Sequence, residues 1–127
     1  MTDLRDAHAV FDRRRAAWLA EDVDGYLDCW VDDLALETPG REPVRGREAY
    51  EAMVRQSFAW AKPNAFEFHH IAVDGNTVFA DWTISVERRN DAKIIEWRGM
   101  SVAELRDGRI VWWREYHHAP PRPVTTS

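Results

Sequence analysis

The sequence predicts an α+β fold in which helices pack inside a strongly curved, mostly antiparallel sheet, and three observations carry that expectation. Apolar residues recur at helical spacing between Asp3 and Trp60. Beyond Pro63 they run in long strand-like stretches, and these are separated by the turn sequences Asp74-Gly75-Asn76, Asn90-Asp91 and Asp107-Gly108. Helices first and an antiparallel meander last give two segregated layers around one core. A sheet bent around its helices leaves a cone with one open end, which is a natural pocket.

From Asp3 to about Ala20, the residues Leu4, Ala7, Val10, Phe11, Trp18 and Leu19 follow helical spacing, and Arg13, Arg14 and Arg15 are expected toward water. Glu21-Asp22-Val23-Asp24 breaks this helix, and Asp22 or Asp24 can cap a second one. Its apolar face would be Tyr26, Leu27 and Trp30, ending near Asp32-Asp33, before a short strand Leu34–Thr38. Pro39 to Gly46 reads as loop. Arg47 opens a third helix that carries Tyr50, Met53, Val54 and Phe58, and Pro63-Asn64 is expected to stop it. Strands then follow at Ala65–Val73, Thr77–Arg88, Ile94–Arg106 and Arg109–His118. In the last of these, alternation places Val111, Trp113, Glu115 and His117 on one face and Ile110, Trp112, Arg114 and Tyr116 on the other.

A chain of 127 residues with 45% hydrophobic and 31% charged residues suits one domain, expected over residues 1–118, with a loose tail over 119–127. A net charge of -5, with both signs interspersed, offers no basic stripe for a phosphate backbone, so no nucleic acid partner is expected. No segment approaches the roughly 20 apolar residues that span a bilayer, and no membrane partner is expected. The single Cys29 and the polar first residues suggest a cytoplasmic protein. Seven Trp supply large rigid walls for a core, an interface or a pocket.

The segments Trp18-Leu-Ala-Glu-Asp-Val-Asp-Gly-Tyr-Leu-Asp-Cys-Trp-Val-Asp-Asp33, Gly46-Arg-Glu-Ala-Tyr50, Asp74-Gly-Asn-Thr-Val78, Asp107-Gly-Arg-Ile110 and Arg114-Glu-Tyr116 resemble the SnoaL-like branch of the nuclear transport factor 2-like (NTF2-like) superfamily. The resemblance spans almost the whole chain. It implies the cone-shaped NTF2-like fold and a homodimer that covers Trp112 and Tyr116 on the outer sheet face. It is weak for chemistry, because this fold carries ketosteroid isomerases, polyketide cyclases, limonene epoxide hydrolases, dehydratases and non-catalytic binding domains. Against the Asp-Arg-Asp set of the epoxide hydrolases, Glu115 matches the last-strand Asp, whereas Trp82 and Ile84 stand in place of the other two. Against the base and oxyanion hole of the ketosteroid isomerases, the matching positions hold Thr38, Arg14 and Ser101. The cyclases' acid-base Asp on the last strand is matched by Glu115, with Ser101 or Gly99 near their second position.

Glu115 is thus the expected catalytic carboxyl, since desolvation among rings disfavours the charged form of such a group and suits it to acid-base work. His117, two residues on and on the same predicted face, is its expected relay or orienting partner. Trp82, Trp97 and Trp113 fall on three neighbouring strands and would form an aromatic slot. Trp18, Tyr26, Trp30 and Met53 would wall the cavity from the helices, and Thr38 and Ser101 would bind the polar end of a ligand. Only one of His69 and His70 can point inward, and no ligand spacing for a metal is present. The expected function is acid-base chemistry on a small hydrophobic molecule, by isomerisation, cyclisation, dehydration or epoxide opening, without a cofactor. The alternative is a non-catalytic ligand-binding or dimeric scaffold domain.

Overall fold

Asp3 caps the first helix by accepting the N–H of Asp6 at 2.8 Å, and the Asp6 carboxyl returns to the N–H of Asp3, a reciprocal capping box. The helix, α1, spans Leu4–Leu19 and buries Ala7, Val10, Phe11, Arg14 and Ala17 along one stripe. Arg14 therefore departs from the expectation of three arginines facing water: it is only 4% exposed, whereas Arg13 and Arg15 are exposed. Glu21 turns the chain at φ 55°, and Asp22 caps α2, Val23–Leu27, through the N–H of Gly25.

The second helix ends sooner than its apolar spacing predicts. Trp30 to Asp33 belong to β1, Trp30–Glu37, because this segment pairs in parallel with the last long strand. Cross-strand hydrogen bonding overrides the helical pattern there, and Thr38 lies just beyond the strand. Within the expected loop, Val44–Arg45 forms a short β2 against β1. Helix α3, Arg47–Trp60, buries Tyr50, Val54 and Phe58.

β3 begins at Ala61 and runs to Asp74, so Pro63-Asn64 lies within a strand. β3 is the edge of the sheet, and its register slips between Pro63 and Ala65, two of the settings in which a strand accommodates proline. β4 (Thr77–Arg88), β5 (Ile94–Arg106) and β6 (Arg109–His117) follow as antiparallel neighbours. The strand order is β2-β1-β6-β5-β4-β3, and only the β1–β6 pairing is parallel. Described are residues 2–118 and 122–123 of this computed structural model. Arg122–Pro123 forms β7 against Ile95 and Glu96 of β5 and prolongs the edge that β6 leaves, since β4 holds the other edge. The rest of the expected loose tail lies outside the described residues. No helix among these residues is long and apolar enough to cross a membrane.

Bulges curve the sheet and set which residues face the helices. Leu105 pairs with Ile110 but Glu104 pairs with Trp112, so Val111 is the extra residue. This reverses the expected parity at the start of β6: Ile110 is fully buried and joins Trp113 inside. A second slip between Phe68 and His70 leaves both His69 and His70 exposed, so neither points inward. On the inner face, cross-strand rows set Ala80 beside Ser101 and Glu115, Val78 beside Ala103 and Trp113, and Trp82 beside Gly99 and His117. Small residues on β5 thus leave room for large ones on its neighbours.

Gly99 is the tightest of these positions, because a Cβ there would lie 2.3 Å from the backbone oxygen of Tyr116 and 3.0 Å from the Trp82 ring. Gly99→Ala is expected to destabilise the fold by about 1–3 kcal/mol through overpacking. Urea unfolding checks this, and an unchanged midpoint would show that the β5–β6 pairing yields without cost.

Candidate functional site

Between α1 and the concave sheet lies a cavity of about 150 Å³. Arg14 and Trp18 of α1, Tyr26 of α2, and Tyr50, Met53 and Phe58 of α3 form its helical wall. The sheet contributes Leu36, Phe66, Ile84, Trp97 and Glu115, and Thr38 stands at the end of β1. The lining is mainly apolar, and its polar groups converge from two sides.

On the helical side, Arg14 Nη2 donates to the Tyr26 hydroxyl at 2.8 Å, and that hydroxyl lies 2.9 Å from the hydroxyl of Tyr50. The guanidinium carbon sits 4.1 Å from the Trp113 ring centre, 5.2 Å from Tyr26, 5.3 Å from Phe66 and 5.8 Å from Trp30. Four aromatic faces therefore stabilise the cation. Nε and Nη1 of Arg14 are buried and have no hydrogen-bond partner among the described residues. Burial opposes the charge of Arg14, but Tyr26, Tyr50 and Glu115 together outweigh it, so its pKa is raised. Burial also pushes the Tyr50 phenol well above its ordinary pKa, with Tyr26 adding to the shift and Arg14 opposing it. Tyr50 is a neutral hydroxyl at physiological pH.

On the sheet side, Glu115 Oε1 accepts from Trp113 Nε1 at 3.1 Å, and Oε2 lies 3.2 Å from His117 Nε2. The side chains of Glu115 and His117 are 16% and 20% exposed. Both carboxyl oxygens are therefore held, and the group still reaches the cavity wall. Such a carboxyl can exchange a proton with a molecule in the cavity, provided that the molecule lies within hydrogen-bond reach.

The sequence-selected residues divide into three groups. Trp18, Tyr26, Thr38, Met53, Trp97 and Glu115 share the cavity wall. Trp30, Trp82, Ser101 and Trp113 instead lie behind it, each almost fully buried. Trp82 Nε1 donates to Ser101 Oγ at 2.8 Å, which satisfies both groups within the core, and Trp30 packs on Tyr50 and Trp113. The expected three-tryptophan slot thus reduces to Trp97. His117 reaches Glu115 from outside the cavity, in a surface groove beside Trp82 and Gly99. Arg14 and Tyr50 are cavity residues that the sequence reading did not select. The signal was present, since Arg14 follows Ala7 and Phe11 at steps of four and three on the buried stripe. Asp81 points to the outer face and pairs with His70 at 3.0 Å. Among the described residues no cluster of three His, Cys, Asp or Glu could hold a metal ion.

Residues 11–113 match the model of the SnoaL-like domain family. An isomerase candidate from Bacillus subtilis is similar in structure, with a TM-score of 0.82 at 22% identity, over 93% of this chain and 90% of that one. An LEH-like epoxide hydrolase from M. tuberculosis gives 0.77 at 25% identity, over 89% and 83% of the two chains. A polyketide cyclase candidate from Xanthomonas campestris gives 0.75 at 18% identity, over 88% and 90%. These likenesses establish the cone-shaped NTF2-like fold. No curated protein matches the chain in sequence.

The buried Tyr50 hydroxyl makes stability depend on alkaline pH. Its folded pKa is raised, so its contribution is complete below the unfolded value of about 10 and is lost as pH rises through the folded value. Wild type is expected to lose more stability across that window than Tyr50→Phe, as measured by chemical unfolding at stepped pH. Equal losses would mean that burial does not hold this proton.

Proposed function

We propose, from the premise that this chain belongs to the SnoaL-like domain family, that it is an enzyme performing acid-base chemistry on a small, largely apolar molecule. The observation that carries the reading is Glu115: one carboxyl in the wall of a mainly apolar cavity, tethered on both oxygens by Trp113 and His117. A tethered carboxyl loses little orientational freedom on meeting its substrate, which is how positioned acids and bases gain their efficiency. His117 acts as a positioning residue that fixes the carboxyl from behind.

The simplest reaction is a proton shift. Glu115 removes a proton from carbon beside a carbonyl, electron density moves to the carbonyl oxygen, and the same proton returns to a different carbon. The carboxyl ends as it began, so no cofactor takes part. Dehydration uses the same first step and delivers the proton to a departing hydroxyl, which leaves as water. The neutral Tyr50 hydroxyl, on the opposite wall, is the available donor to the oxygen that gains charge. Epoxide opening by a full Asp-Arg-Asp set is less well supported, since Trp82 and Ile84 occupy the two other positions and neither carries a charge.

The outer sheet face fits the expected homodimer. Phe79, Met100 and Tyr116 are large apolar side chains exposed on β4, β5 and β6, and Met100 lies directly opposite Tyr116. Burying such a patch against its own copy gives an isologous interface. The protein is expected to sediment as a dimer, and Tyr116→Arg as a monomer. A monomeric wild type would remove the dimer from the proposal.

Wild type is expected to turn over at least one member of a panel of apolar enones, β-hydroxy ketones and epoxides. Glu115→Gln should slow that reaction by on the order of 100-fold or more while folding is retained. A variant with full activity would exclude Glu115 as the acid-base group. A chain that binds panel members and converts none would instead be a non-catalytic ligand-binding domain.

A further inference from the structure

Arg14 Nη2 donates to the Tyr26 hydroxyl, and the residue is 4% exposed. Among the described residues, the N–H of Nε and both of Nη1 have no acceptor. Among the described residues no carboxyl comes within ion-pair distance of it; Glu115 acts on it only at longer range. Aromatic faces offset part of its desolvation, but a cation removed from water without a counter-ion is a costly arrangement for a fold to keep. Water in the cavity would leave the charge unbalanced. An anionic oxygen supplies both an acceptor and a counter-charge, in the form that arginine binds best.

We infer that the cavity takes a small cyclic or aromatic acid, with the carboxylate bound by Arg14 and the ring against the apolar wall. The inference deepens the acid-base reading of the same cavity and rests on it for the fate of the bound molecule. Space sets the scale, since the cavity of about 150 Å³ resembles in size an apolar cavity that holds one benzene ring. Charge sets the chemistry: Arg14 is the cavity's permanent cation, and it packs on the same Trp113 ring whose Nε1 tethers Glu115. A substrate anchored at Arg14 by its carboxylate would lie beside Glu115.

Calorimetric titration with benzoate and with benzamide, its neutral analogue of nearly equal shape, tests this without a known substrate. Wild type is expected to bind benzoate at least tenfold more tightly than benzamide, and Arg14→Met to bring the ratio to about one. Equal affinities in wild type, or a benzoate preference that survives in Arg14→Met, would overturn the inference. Glu115→Gln provides a second arm that leaves Arg14 in place. Removing the acidic neighbour should preserve or strengthen benzoate binding, and its loss would overturn the assignment to Arg14. Titration with 4-nitrophenolate separates a carboxylate from a lone oxyanion, since a phenolate bound as tightly as benzoate would overturn the carboxylate. The readings fail separately: a benzoate preference that depends on Arg14, together with full turnover by Glu115→Gln, would remove the role of Glu115 and keep the acid.

Discussion

The burial of α1 against the concave sheet, with the Arg14 guanidinium at the centre of the contact, is the constraint around which the rest of the molecule is arranged. The cation touches rings from every layer: Tyr26 from α2, Trp30 from β1, Phe66 from β3 and Trp113 from β6. Elements distant in sequence are thus tied to one group. Phe11, one turn earlier on α1, packs on Phe68 and Trp113 and holds the helix at the depth at which Arg14 meets those rings. The apolar stripe of the helix provides the driving force, and the aromatic cage makes the one charged member of that stripe tolerable.

The sheet adapts to this helix through size and register. Gly99, Ser101 and Ala103 form a strip of small residues along the inner face of β5, flanked by Trp82 on β4 and by Trp113 and Glu115 on β6. The Val111 bulge lets both Ile110 and Trp113 face the core, and every inward residue after it keeps the parity that brings Glu115 to the cavity. A one-residue change of register would send Glu115 to the outer face. The position of the carboxyl therefore depends on strand packing at the far end of β6.

Much of this architecture was legible in the sequence because it rests on local periodicity. The run from Thr77 to His117 has strong alternation and clear turn dipeptides, and its strands stand where they were expected. Where tertiary pairing decides, the sequence misled. Trp30 to Asp33 continues a helical pattern but pairs with β6, and Pro63 looks like a stop but lies on an edge that needs no N–H from it. The cavity was legible for Glu115, Tyr26, Met53 and Trp97, whose parity or helical face is simple to count. For Trp30, Trp82, Ser101 and Trp113, facing inward was readable, but depth was not. Depth depends on which large side chain fills the layer above, and Trp82 meets Ser101 there instead of a ligand.

Arg14 was missed for a more general reason. A rule that sends arginine to solvent is sound as a statement about cost, because burying an unpaired cation opposes folding by several kcal/mol even after relaxation. Domains are stable by about 5–15 kcal/mol in total, so such a residue stands out against the rest of its core. A methionine of similar length would fill the same space between Tyr26, Phe66 and Trp113 without that penalty. The stability of the fold gives no reason for a guanidinium there, and the acid inferred above would supply one. Local rules fail most sharply at functional or strained sites, and in this molecule they fail at a costly cation that lines the same cavity as Glu115.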